Sequence, residues 1–455
     1  EPVRHPGYES SDRTAGRQGP DPDLCHGIFR GGGERVFFLF FLLVISNISF
    51  NCIETEVVIA TIEYDNEITL REAIQKQNKD GGIIYIDTKI ININIDKPIE
   101  LKGISGSIIG KKQQNGGYPI INFKNARDNG FFISFNVLGN QKFLKYLIIE
   151  NSRSHGIIVS GLNNNFDHIV TRYNQYSGIY ITRTADSNSF NFCYSYRNCD
   201  LKGNGLNGNG FYSYGASNNI FDYCFSWDNS NNGFSSSSNE NFSSSLTFKH
   251  SACWNNGNSD IFSGKYDFDN ANPLDKNMLT IQNIINSDEN FEKNYNKKKF
   301  YIDNATIDGK SAIEWIAKTK SKTKGNGFQF GFPTTTSSSN IKRIADKCVA
   351  FENKSTGFDN NFSKRYIGYF SNCVSFKNEI NYQLPYIFEK WSNNWSWGAI
   401  LSEKIDVEET LKHPGDIISS EKSFNSIKNI IIKKVYENYI PDNINFDSPI
   451  MSLKE

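Results

Sequence analysis

Short apolar stretches recur through the middle of the chain at a near-constant spacing, and each runs into the same polar signature. The repeat reads apolar, two polar, Cys or apolar, a small or apolar pair, then Asn, then a turn that closes on Gly-Phe or Gly-Ile. It is seen in FLKYLIIEN at 143–151, FDHIVTRYN at 166–174, FNFCYSYRN at 190–198 and IFDYCFSWDN at 220–229. FKHSACWNN at 248–256, IADKCVAFEN at 344–353 and GYFSNCVSFKN at 368–378 continue it. The recurrent residues Asn151, Asn174, Asn198, Asn229, Asn256, Asn353 and Asn378 lie about 23 to 31 residues apart, save one long gap. That period belongs to solenoids. A strand this short alternates its faces and cannot bury its apolar side alone. Pairing each strand with its copy in the next rung satisfies the backbone and builds a continuous core. The pattern therefore predicts an all-β right-handed parallel β-helix with rungs over about 82–400, inside a domain at 55–400. Asn is expected at the turn because it tolerates left-handed φ and because stacked amides bond along the ladder. The following Gly is expected at a tight bend.

The ends of the pattern carry their own signals. ITLREAIQKQN, Ile68 to Asn78, has apolar residues at helical spacing and predicts a short helix capping the first rung, with GGIIYID at 81–87 beginning the strands. Two places break the period: an enlarged turn between Asn198 and Gly210, and an excursion from Asn256 to Gly325 with a short helix expected at SAIEWIAK. Long loops on a rigid scaffold are where function concentrates. Residues 401–455 are expected to pack as a charged tail along the outside. Residues 1–33 are rich in Gly, Pro and Arg and read as a disordered leader foreign to the remainder. Residues 34–52, with the apolar run Val36 to Ile45, have the length of a signal-peptide core and are too short to cross a bilayer. Secretion is the expectation, and sequons at Asn241, Asn304, Asn361 and Asn394 fit it weakly.

Charge narrows the partners. Lys+Arg and Asp+Glu are both 49, so no basic excess exists to hold a nucleic-acid backbone. No His pair has metal-ligand spacing; His155 and His168 read as turn or surface residues. Cys193, Cys224, Cys348 and Cys373 share one place in the repeat and read as an interior ladder, while Cys199 and Cys253 fall out of register. Tyr194, Tyr196, Phe211, Tyr212, Tyr214 and Trp227 cluster around the enlarged turn. They serve either as exposed rings for sugar stacking or as interior stacks between rungs, and sequence leaves both open.

The stretch YSYRNCDLKGNGLNGNGF, Tyr194 to Phe211, with SWDNSNNGF at 226–234, resembles the polysaccharide lyase family 9 pectate lyases. GNGFQFG at 325–331 and CVAFENKSTGFDNN at 348–361 agree, WSNNWSWG at 391–398 and IPDNINFD at 440–447 echo the family's end, and the likeness runs in order over roughly 69–447. The resemblance implies an extracellular enzyme that cleaves pectic polyuronate by β-elimination, with calcium on the substrate carboxylate and a Lys as base. At the family's acidic calcium positions this sequence has Asn209, Asn231, Asn232 and Ser235, and at the base position Gln329. Calcium affinity falls as ligand charge is removed, and an amide takes up no proton at any useful pH. No cofactor is expected beyond a weakly held calcium ion.

Lys322 and Lys324 are the cations closest in sequence to the lost base. With Asp359, Tyr212 and Tyr214 they are the candidate substrate-binding residues. Asp200, Asp222, Asp228 and Asp359 read as turn formers, with a hydrolytic carboxylate pair as the alternative. The expected function is a secreted, monomeric β-helix protein directed at a pectate-type polysaccharide without the standard elimination. The alternatives are an active lyase or glycoside hydrolase with relocated residues, and a structural coat or adhesion protein.

Overall fold

A computed structural model describes residues 57–397, apart from 115, 127–132, 201–204, 238–244, 258–298, 303–304, 309–324, 332–340, 361–366, 384–387 and 393. The expected leader, the signal segment, the tail at 401–455, the SAIEWIAK helix, Lys322 and Lys324 lie outside the described residues.

The chain coils into a right-handed parallel β-helix. Three runs of strands climb it, because each short strand pairs in parallel with its counterpart one turn later. The first run passes from Ile83–Ile86 through Ile104–Gly110, Asn140–Glu150 and Asn165–Arg172 to Ser189–Asn191. It continues through Asn219–Asp222, Leu246–Lys249 and Lys342–Asp346 to Ile367–Ser371. The second passes from Ile90–Asn92 through Tyr194–Tyr196, Phe225–Trp227, Ala252–Trp254 and Val349–Phe351 to Val374–Phe376 and Trp395–Trp397. The two merge into one sheet of 19 strands through the long strands that bend between them. The third run forms a separate sheet of nine strands, from Ile99–Leu101 to Ile380–Gln383. The described part of the excursion includes an antiparallel hairpin, Lys299–Ile302 with Ala305–Asp308.

The capping helix forms as expected and spans Glu67–Asp80. Asn66 caps it by accepting from the Thr69 amide at 3.1 Å. Leu70, Ala73, Ile74 and Gln77 face the coil, and Gln77 donates to Ser107 O and Gly82 O, which ties the helix to the first rungs. The strands do not begin after this helix, however. Val58–Ile62 already pairs in parallel with Ile83–Ile86, so the helix is a crossover within a β-α-β unit.

Inside, the repeat builds columns. Phe166, Phe190, Phe221 and Phe248 stack with ring centroids 4.6 to 5.0 Å apart. Cys193, Cys224, Cys348 and Cys373 are fully buried, in one column with Ser251, and carry free thiols. Burial pushes the Cys224 and Cys348 thiols well up, which keeps them unreactive. Cys253 occupies a different interior column, Ser195–Ser226–Cys253–Ala350–Ser375.

The asparagine ladder is real, with two corrections. Asn174, Asn198, Asn229, Asn256, Asn353 and Asn378 pass amide hydrogen bonds up the coil at 2.9–3.0 Å. The left-handed residue is the one before each: Tyr173, Arg197, Asp228, Asn255, Glu352 and Lys377. Asn151 is itself left-handed (φ 60°) and stands in the Tyr173 register, and Ser152 takes the ladder place by donating its amide to Asn174 Oδ1. The conserved spacing to Gly has a different cause from a tight bend. Gly178 and Gly210 do not have positive φ. A side chain on either would strike the ladder hydroxyls, Ser195 Oγ at Gly178 and Ser226 Oγ at Gly210.

Tyr194, Tyr196, Phe225, Trp227 and Trp254 point out of the coil, since Ser195 and Ser226 between them point in and bond Gly210 O and Gly233 O. Even so these rings are at most 3% exposed and form an apolar cluster separate from the interior core. Tyr196, Trp227, Trp254, Phe351 and Phe376 make one continuous stack, with centroids 4.3 to 5.6 Å apart. Tyr194, Tyr196 and Trp227 are thus neither exposed sugar platforms nor part of the interior core, whereas Phe211 is interior.

Candidate functional site

The nine-stranded sheet presents its alternate residues outward in register. One outward column reads Ile158, Tyr180, Tyr212, Ser235, Gln329 and Asp359. A second, three residues earlier in each rung, reads His155, Ser177, Asn209, Asn232, Asn326 and Thr356. The positions singled out from sequence, over a hundred residues apart in the chain, therefore meet on one face.

They meet as a closed network. In the second column each rung leans on its neighbour: Asn232 N donates to Asn209 Oδ1 at 3.2 Å, Asn326 N to Asn232 Oδ1 at 2.9 Å, and Thr356 N to Asn326 Oδ1 at 3.1 Å. Asn209 Nδ2 reaches Ser177 Oγ at 3.3 Å, and Asn231 Nδ2 reaches Asn209 Oδ1 at 3.1 Å. Gln329 Oε1 accepts from both Asn232 Nδ2 (2.9 Å) and Ser235 Oγ (2.8 Å). Asp359 Oδ2 accepts from Asn326 Nδ2 at 2.8 Å. Asn209, Asn231, Asn232, Ser235 and Asp359 are buried, and Gln329 is half-buried.

This donor set does not fit calcium. A hard cation needs six to eight oxygens, several of them anionic. The amide oxygens of Asn209 and Asn232 are already taken by backbone N–H groups, and Ser235 spends its proton on Gln329. One buried oxygen, Asn231 Oδ1, lacks a hydrogen-bond partner. A single neutral oxygen is no calcium site. Gln329 occupies its place as an acceptor, with no proton-accepting group to offer as a base.

Beside the network stand rings. Tyr180 and Tyr212 stack at 5.4 Å, and His155 stacks on Tyr180 at 4.4 Å. The rings spend faces on one another and are half-buried, and Tyr212 Oη bonds Ser237 Oγ at 2.7 Å. Burial pushes Tyr180 up to about 12 and raises Tyr212, so both stay phenols. His155 lies in the turn before Ile157–Val159, as read, and is half-buried. Its Nδ1 accepts from Ser177 N at 3.2 Å, and burial pushes it down to about 3, so the ring is neutral. His168 differs. It is a left-handed residue inside the strand Asn165–Arg172 and not in a turn, stacked between Tyr146 and Phe192.

Asp200, Asp222 and Asp228 do not join the face. Asp200 accepts from Asn207, Asp222 pairs with His250 and Asp228 with Arg197. Sequence reasoning missed Tyr180, Asn326 and Ser177. A signal existed for two of them: Ser177 and Asn326 precede the repeated Gly, as Asn209 and Asn232 do.

The family model "Pel9A-like, right handed beta helix region" matches residues 64–274. The matched stretch, 211 of the 455 residues, carries a Pel9A-like right-handed β-helix region. The chain is similar in fold to the solved structure "Crystal structure of pectate lyase Pel9A", at 18% identity, covering 74% of each chain with a TM-score of 0.50. It is also similar to a "Rhamnogalacturonan lyase", at 16% identity over 74% of this chain and 82% of that one, TM-score 0.49. A comparison with curated proteins found no match.

Proposed function

We propose that this pectate-lyase-like protein is secreted, engages an extracellular polysaccharide of the pectic kind, and does not carry out calcium-dependent β-elimination. The observation that carries the reading is the double hydrogen bond to Gln329 Oε1. It joins the family's base position to two of its calcium positions and leaves neither base nor anion there. The β-helix that positions those residues is otherwise intact across them. The ligand class comes from the matched family and the pectate lyase named above, and it suits a long, regular outward face. Among the described residues no helix is long and apolar enough to cross a membrane.

The test incubates the protein with polygalacturonate and calcium at alkaline pH and follows the ultraviolet absorbance of unsaturated uronides. No absorbance is expected, with co-sedimentation on insoluble pectic polysaccharide retained. Appearance of unsaturated product defeats the proposal. Absence of both product and binding favours a structural or adhesive role.

A further inference from the structure

Over the rungs from Ile158 to Asp359 the outward face offers a narrow chemistry. Beside the two columns above, a third, two residues after the central one, reads Ser160, Thr182, Tyr214 and Ser237. Thr182 Oγ1 bonds Ser160 Oγ at 3.0 Å, so this column too is tied rung to rung. Tyr180, Thr182, Tyr212, Tyr214, Ser237 and Gln329 are half-buried, which leaves atoms of each at the surface. Every one of these groups is a hydroxyl, an amide or a ring edge. Among the described residues of the three columns the one charged side chain is a carboxylate, Asp359. Two cations flank the columns without belonging to them: Arg183, exposed after Thr182 and acting on Tyr180, and Lys354, exposed two residues before Thr356.

We infer that the ligand of this face is an uncharged glycan, a neutral polysaccharide or one whose carboxylates are esterified, and not a polyuronate anion. The inference rests on the polysaccharide reading above and sharpens it. Laying a row of carboxylates along the three columns strips their water where only the flanking Arg183 and Lys354 could answer two of them, and sets the row against a like charge. The amide N–H groups best placed to help, on Asn209, Asn231 and Asn232, already donate within the network. Sugar hydroxyls meet no such cost. They exchange water for Ser, Thr, Tyr and Gln groups at the surface, and their C–H faces lie on ring edges.

Affinity electrophoresis of the full chain tests this at physiological salt. Three gels carry de-esterified polygalacturonate, the same polymer fully methyl-esterified, and a linear neutral galactan. Retention at least about tenfold stronger on the esterified or neutral polymer than on the de-esterified one is expected. Retention on the esterified gel alone assigns the polyuronate backbone, and on the galactan alone a neutral one; either supports the inference. Gln329→Lys, which places a cation in the central column, is expected to shift the preference at least about tenfold toward the de-esterified polymer. Equal or stronger retention of the unaltered protein on the de-esterified polymer overturns the inference and leaves the polysaccharide reading standing. It would also direct attention to Lys322 and Lys324. Retention on none of the three overturns both.

Discussion

Asn232 donates its side-chain amide to Gln329 Oε1 at 2.9 Å across 97 residues of sequence. The resemblance read from the sequence sets these two residues against a metal-binding carboxylate and a base of the family; here the Asn232 amide and the Gln329 oxygen bond each other. Replacing Asn209, Asn231, Asn232 and Ser235 together by Asp is expected to create calcium dependence. The fourfold variant should melt lower than the parent without calcium, since four carboxylates crowd one another, and rise by several degrees with millimolar calcium. The parent's melting temperature should not move. A parent that responds to calcium by thermal melting would show that neutral oxygens suffice.

The close approach of Gly210 to Ser226 predicts a second outcome. Gly210→Ala drives a methyl group into the Ser226 hydroxyl, and overpacking of this kind costs about 1–3 kcal/mol or more. Ser226→Ala removes the nearest obstacle along with its bond to Gly233 O, and leaves Gly233 O itself 2.7 Å from the new methyl group. The double variant should therefore be more stable than the sum of the two losses, with a coupling of about 1 kcal/mol or more in a denaturation cycle. Strict additivity would return the glycine to a turn-forming role.

The register of the ladder can be checked by alanine. Asn229 accepts from Asn198 and donates to Asn256 and Ser226, all buried. Asn229→Ala removes these bonds and orphans the Asn198 N–H, which donates to Asn229 Oδ1, and should cost about 3 kcal/mol. Asn151 stands one register place away at φ 60°. Asn151→Ala should cost about 1–2 kcal/mol, chiefly for a left-handed alanine. Equal losses in chemical denaturation would mean that both belong to one ladder.

His155 makes stability depend on pH. Burial holds the folded imidazole down to about 3, whereas the unfolded ring titrates near about 6.5. The unfolded state therefore binds the proton first, and stability is lost as pH falls from about 6.5 toward 3. His155→Phe keeps a ring beside Tyr180 and should flatten the fall of the melting temperature between pH 6.5 and 4. An unchanged slope would place the acid sensitivity elsewhere.

These outcomes show what the sequence made legible. The rungs were readable because burial demands apolar side chains at period two, and a coil repeats that demand each turn. The meeting of Asn209, Asn232, Ser235 and Gln329 followed from that frame once the rungs were aligned. Three features lay beyond such reading. A left-handed residue and a ladder residue are adjacent and both accept Asn, so Asn151 could not be told from Asn174. A glycine required by a neighbouring rung's hydroxyl looks identical to one required by a bend. The outward stripe of Tyr196, Trp227 and Trp254 alternates as an exposed face would, and its burial depends on contacts that a local pattern does not record.

The excursion between Asn256 and Gly325 carries a last consequence. Asn256 meets Asn353 at 2.9 Å across 97 residues, the same distance at which Asn198 meets Asn229 across 31. Lengthening a connection raises its closure entropy only logarithmically. The scaffold therefore counts turns and ignores how much chain is spent between them. A coil of this kind works as a rack with fixed pitch, on which whole segments can be hung, exchanged or removed at one rung while the polar face that resumes at Asn326, directly after Gly325, keeps its alignment.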